Sequence, residues 1–129
     1  MIGKVVSERY KIEKYLGGGM SSVYLATDII LNREVVVKMI KADPLDKEKS
    51  VRRFQREVES TIQLSHPNIV SVIDVDETEE YHILVTEVVH GSNLKEHIVK
   101  NSPLDIDEVI SIAMMTLRGI EHAHDRGII

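Results

Sequence analysis

Three features of this sequence could do chemistry on an anion. The first is the run Gly17, Gly18, Gly19, set between two stretches that read as strands. Glycine there gives up packing and backbone entropy, so the turn must need dihedrals or a close approach that a Cβ forbids. A strand–turn–strand of this kind can aim backbone N–H groups at a phosphate. The second is Lys38, closing the apolar run Val35-Val36-Val37. A lysine inside such a strand must reach an anion or water. The third is Glu57, three residues after Phe54 and one before Val58, at the border of an apolar helical stripe. Each alone has a plain structural explanation. Glycine hairpins are common, a strand lysine can snorkel, and Glu57 can pair with Arg53 four residues earlier.

The elements that must position these groups follow from the period of the apolar residues. Tyr10 to Leu16 alternates, Ser22 to Asp28 follows the glycines, and Arg33 to Ile40 is rich in β-branched residues. Short connections predict an antiparallel meander. Val51, Phe54, Val58 and Ile62 then recur at helical spacing, until His66-Pro67-Asn68-Ile69 breaks the helix. Two further strands are expected at Val70 to Asp76 and Tyr81 to Val89, and Gly91 closes the strand region. Asn93 with Glu96, and Asp105 with Glu108, predict capping boxes for a short helix from Leu94 to about Val99 and a longer one. The longer helix carries Ile106, Val109, Ile110, Ala113, Leu117 and Ile120 on one stripe, with Gly127 as its stop. That stripe has more apolar surface than the preceding elements can cover, so the chain is expected to be part of something larger.

Composition bounds the function. The 129 residues suffice for a core, and 43% apolar with 29% charged residues is ordinary for a globular protein. A net charge of −5 argues against nucleic acid as a partner. There is no cysteine, hence no disulfide or thiolate metal site, which is compatible with a cytoplasmic location. No apolar run approaches the roughly 20 residues that cross a bilayer, and the N-terminus does not read as a signal peptide. No metal site is expected. His122 and His124 stand two apart on a helix and face different sides, and Asp74 to Glu80 lacks the glycine and terminal glutamate of a calcium loop. His124 is expected to pack on the apolar stripe, Met114 and Met115 to be helix core, and His66 and Asn68 to cap and bridge their turn.

In order along the chain, the features are more specific than they are singly. A glycine hairpin, a lysine on the next strand, a helix with an edge glutamate, "HPNIV", a strand running into "TEVVHG" and a helix ending "HAHDRGII" resemble the start of a protein kinase catalytic domain. The opening "IGKVVSERYKI" and the "GGMSSVYLA" of the hairpin are similar to bacterial serine/threonine kinases of the PASTA-repeat type. The resemblance covers about residue 3 to 129. It implies an α+β fold. Residues 1–90 would be an ATP-binding N-lobe of five antiparallel strands and one main helix, and residues 91–129 the first two helices of an incomplete C-lobe.

The resemblance also implies roles. Lys38 holds the α- and β-phosphates of ATP and Glu57 pairs with Lys38. Leu16, Val23 and Val36 sandwich adenine, with Val36 standing where the family usually has alanine. Gly17, Gly18, Gly19, Met20 and Ser21 form the phosphate flap, the backbones of Glu87 and Val89 bond the adenine edge, and Thr86 is the gatekeeper before the hinge. Against the pattern Gly-x-Gly-x-x-Gly-x-Val the loop is one residue short in either register. The turn is expected to absorb the difference, since a slip within a strand would exchange its faces, and nucleotide affinity is expected to fall. The His-Arg-Asp and Asp-Phe-Gly motifs, and with them the Mg²⁺ ligands, are expected beyond Ile129, so the isolated chain is expected to be inactive, with the protein substrates read elsewhere. The alternative is a non-catalytic kinase-like module that forms homodimers. A parent anchored in a membrane with this part on its cytoplasmic side is compatible with both.

Overall fold

The structure is a computed structural model that describes residues 1–129 apart from Met20 and Pro44, and Lys47 by its backbone alone. The chain divides into two units, residues 1–63 with 71–88, and residues 64–70 with 89–129.

The first unit is a sheet with one helix. Its strands are β1 (Val5–Val6), β2 (Tyr10–Gly17), β3 (Ser21–Asp28), β4 (Arg33–Lys41), β5 (Val72–Glu77) and β6 (Tyr81–Thr86), and its helix is α1 (Lys47–Ile62). The antiparallel order is β1-β2-β3-β4-β6-β5. The sheet therefore has six strands where five were expected. The extra strand enters through Ser7 and Glu8, both at positive φ (54° and 56°), without the Asn-Gly signature that marks such turns in a sequence.

The sheet curls until its two edges meet. The Ser7 hydroxyl donates to Asp76 at 2.6 Å and the Tyr10 hydroxyl to Asp74 at 2.7 Å, from the β1–β2 edge to the opposite edge strand β5. The face inside the curl is the core: Tyr10, Ile12, Ala26, Val35, Val37, Ile83 and Val85 are all buried there. Each such aliphatic side chain contributes about 1.5–3 kcal/mol by leaving water. Burial first, then the bond to Asp74, push the Tyr10 hydroxyl up to about 12.

Strand β2 carries register shifts between Ile12 and Lys14 and between Tyr15 and Gly17. The turn thus does not do all the adjusting expected of it. Leu16 is bulged from the ladder just before the glycines, and a bulge accommodates one residue without exchanging the faces of β3 and β4. Helix α1 starts earlier than the apolar period indicated, because Asp46 accepts the Lys49 N–H and caps it. Strand β6 ends at Thr86, since from Glu87 the backbone N–H turns to the Ser71 carbonyl, 3.1 Å away.

The second unit contains α2 (Leu94–Asn101) and α3 (Ile106–Asp125). Asn93 caps α2 by accepting the Glu96 N–H at 2.8 Å. Asp105 caps α3, but Glu108 does not complete the expected box; its carboxylate bonds His97 of α2 instead. Gly127, at φ 80°, ends α3 as expected, with its N–H on the His124 carbonyl and that of Ile128 on Ala123.

Candidate functional site

Strand β4 sends its residues to two different environments. Val35, Val37 and Met39 enter the core, while Val36, Lys38 and Ile40 lie half-buried on the other face. Directly opposed residues share a face. Lys38 lies between Val23 of β3 and Leu84 of β6, and Val36 between Leu25 and Thr86. The result is an apolar, half-buried surface with one ammonium in it. Among the described residues no carboxylate lies within 4 Å of Lys38.

The glycine turn borders this surface, since Gly17 pairs with Val23. Gly17 and Gly18 take φ of 128° and 141°, where side chains are strained. A Cβ on Gly18 would lie 1.8 Å from the Ser21 carbonyl oxygen, whereas one on Gly19 would meet nothing within 4 Å. Leu16 is half-exposed at its bulge, and Ser21 is half-buried opposite Ile40. Met20 lies outside the described residues.

Helix α1 buries Phe54 and Val58. Glu57 is exposed and opens, with Lys49, Arg52, Arg53 and Arg56, onto a hollow of about 440 Å³. No ion pair joins it to Lys38, or to Arg53, among the described residues; the pair that does form on this helix is Glu48–Arg52, at 3.1 Å. The structure thus places Lys38 with Val23, Val36 and Thr86, and leaves Glu57 apart from them. A second cleft, of about 530 Å³ between α1 and β5, is lined by Phe54, Val58, Ile62 and Val75 and does not include Lys38.

At the end of β6 the Thr86 hydroxyl donates to the Glu87 carbonyl at 3.2 Å. The Glu87 carboxylate accepts the Ser71 N–H, also at 3.2 Å. With its own N–H on Ser71, the backbone of Glu87 offers a ligand only the second lone pair of its carbonyl. Val89 is exposed and belongs to the second unit.

Within the second unit, Asn68 Nδ2 donates to the Met115 carbonyl of α3 at 2.9 Å and His66 Nδ1 accepts the Asn68 N–H, so both residues bridge as expected. His124, expected to pack, is exposed; it is His122 that is half-buried, 5.0 Å from the His66 ring. Burial first, then Arg126 and His66, lower the His122 pKa. Met114 and Met115 are also exposed where core was expected, because among the described residues little covers the stripe they border on α3.

Sequence reasoning missed two buried polar centres. One is Asp28, fully buried and held by Arg9 at 2.8 Å and Arg33 at 3.4 Å. The other is His82, whose period-two relation to Leu84 and Thr86 was the available signal.

The residues present suit a nucleotide such as ATP. A half-buried aliphatic surface accepts a flat base, an ammonium without a carboxylate partner accepts phosphate, and Gly18 occupies a turn where no side chain fits. Among the described residues no three His, Asp or Glu side chains cluster.

A curled antiparallel sheet with one helix and a strand lysine beside a glycine turn defines the N-terminal lobe of a kinase-type fold. The protein kinase domain family matches residues 10–129, and the chain belongs to that family. It is 44% identical, over its full length, to the serine/threonine-protein kinase PrkC of Bacillus subtilis and 42% identical over 99% of its length to a probable serine/threonine-protein kinase PknB of Lactococcus lactis. It spans about a fifth of those proteins, 20% and 21% respectively. Among solved structures, the kinase domain of Mycobacterium tuberculosis PknI superimposes with a TM-score of 0.80 at 27% identity, over 98% of this chain and 52% of that one.

Proposed function

We propose that this chain is the ATP-binding portion of a protein serine/threonine kinase, which transfers the γ-phosphate of ATP to protein hydroxyls. One observation carries the reading: Lys38 lies half-buried on an aliphatic face beside a glycine turn, with no carboxylate within 4 Å among the described residues. Its ammonium takes the α- and β-phosphates. Leu16, Val23 and Val36 hold the base, and Gly17 to Ser21 close over the phosphates. Thr86 guards the space behind the base, whose edge meets the backbone of Glu87. Glu57 serves by directing Lys38, which requires its side chain to leave the solvent-facing position it has here. Its worth is positional, since an exposed pair adds only about 0–1 kcal/mol of stability.

The motifs that supply the catalytic base and hold Mg²⁺ do not occur in residues 1–129. On this reading residues 1–129 bind nucleotide and do not by themselves transfer phosphate. A cytoplasmic location suits a reaction that draws on ATP. Thermal shift with ATP tests the reading: ligand at ten times its dissociation constant stabilises by about 1.4 kcal/mol. Wild type is expected to shift and Lys38→Ala to lose most of that shift. The absence of any shift in wild type would refute the reading and favour the non-catalytic dimerising module.

A further inference from the structure

Strand β6 carries a buried polar residue that the nucleotide reading gives no task. His82 is 2% exposed and lies on the same face as Leu84 and Thr86. Its Nε2 is 2.9 Å from the Ser50 hydroxyl oxygen in the first turn of α1. Its ring stacks on Phe54, one turn further along, with centroids 4.7 Å apart and planes 19° from parallel. The Ser50 oxygen also accepts the Asp43 N–H at 3.3 Å, from the segment that leads into the helix. Among the described residues this is the only side-chain hydrogen bond between α1 and the sheet. His82 Nδ1 is buried with no partner, and an orphaned ring nitrogen is unfavourable. What favours a histidine over an aliphatic residue at this position is therefore the bond through Nε2.

We propose that His82 is a positioning residue for α1: through Ser50 and Phe54 it fixes the rotation of the helix about its axis, and with it the angle at which Glu57 is presented. At 3.6 residues per turn, Ser50, Phe54 and Glu57 fall within an arc of about 60° on the helix. Two of them held by one imidazole define the direction of the third. Glu57 stands at the edge of that arc and is exposed in this structure; with the helix held, its side chain alone has to swing toward the sheet, and a helix turned away would carry the sheet out of its reach. The role rests on the reading that Glu57 directs Lys38.

The test has two arms, both on the intact chain. In hydrogen exchange without nucleotide, Ser50→Ala and His82→Leu are expected to speed exchange along residues 47–62 at least threefold while β4 and β6 amides stay unchanged. His82→Gln, which returns an amide near the position of Nε2, is expected to restore protection. In ATP titration, His82→Leu is expected to weaken binding roughly three- to tenfold, the span of one net hydrogen bond. In a Glu57→Gln background it should cause no further loss. Unchanged exchange in both Ser50→Ala and His82→Leu overturns the proposal, and so do additive losses with Glu57→Gln, because a merely structural His82 acts whatever stands at position 57. If Lys38→Ala leaves ATP affinity unchanged, the nucleotide reading fails and the role toward Lys38 falls with it, while exchange still decides whether His82 holds the helix.

Discussion

Gly18 and Gly19 are neighbours of the same type with opposite structural demands. The first takes a positive φ and approaches the Ser21 carbonyl so closely that a methyl would lie 1.8 Å from it; the second is open on all sides. Gly18→Ala is expected to destabilise the fold by about 1–3 kcal/mol, as the turn backbone must move. Gly19→Ala should stay within about 0.5 kcal/mol. Urea denaturation of the two variants checks this, and equal effects would contradict the close approach. The glycine run was legible in the sequence as a turn with special dihedrals. Which glycine carries the demand was not, because that depends on where the Ser21 carbonyl falls. Lys38 was legible as a charge in an apolar strand. The position of Glu57 was not: the helical period put it at the border of the buried stripe, and only packing decides which way a border residue turns.

At the scale of elements, the β3–β4 turn is held by a residue the sequence did not single out. Asp28 ends β3 and reads as an ordinary turn aspartate, yet it is fully buried. Arg9, from the β1–β2 connection, donates to both its oxygens at 2.8 and 2.9 Å, and the N–H groups of Ile30 and Leu31 bond Oδ1. A partner 19 residues away leaves no periodic trace, which is why this centre was hidden while the strands were plain. The Arg9 hydrogen bond above all, helped by those backbone donors and opposed by desolvation, holds the Asp28 carboxyl well below the usual carboxylate range. A depressed pKa means that the native state binds the proton less readily than the unfolded chain. The stabilisation is therefore complete above the unfolded value near 4 and is lost as pH falls from there through the native value. Asp28→Asn is expected to lower stability at pH 7 and to flatten the decline between about pH 4 and 2, as read from urea midpoints across pH. A variant that keeps the wild-type acid limb would show that other carboxylates carry it.

At the scale of the molecule, the two units differ in what holds them. The first folds its sheet around a core in which no residue is more than 9% exposed. In the second, α2 buries none of its residues and α3 only Gly119, which fits against Asn68, where an added Cβ would lie 3.3 Å from the carbonyl oxygen. The apolar stripe read from the sequence is present on α3, but Val109, Ile110, Leu117 and Ile120 remain exposed, and an apolar cleft of about 420 Å³ opens beside it between α2 and α3. Periodicity told which face wants cover; it could not tell what supplies the cover. A helix as short as α2, with 8 residues, is marginal in water unless packing supports it, and most helical stability in proteins comes from a packed face, so the units should differ in stability. Ile83→Ala, in the core of the sheet, is expected to cost about 2–5 kcal/mol. Leu117→Ala, at a residue 59% exposed, should change stability by no more than about 0.5 kcal/mol. Hydrogen exchange of the wild type should agree, with amides of β4 and β6 opening only on global unfolding and those of α2 and α3 exchanging by local opening. Equal protection in both units, together with a core-sized loss for Leu117→Ala, would mean that the α3 stripe is buried in solution, as it would be against a second copy of the chain.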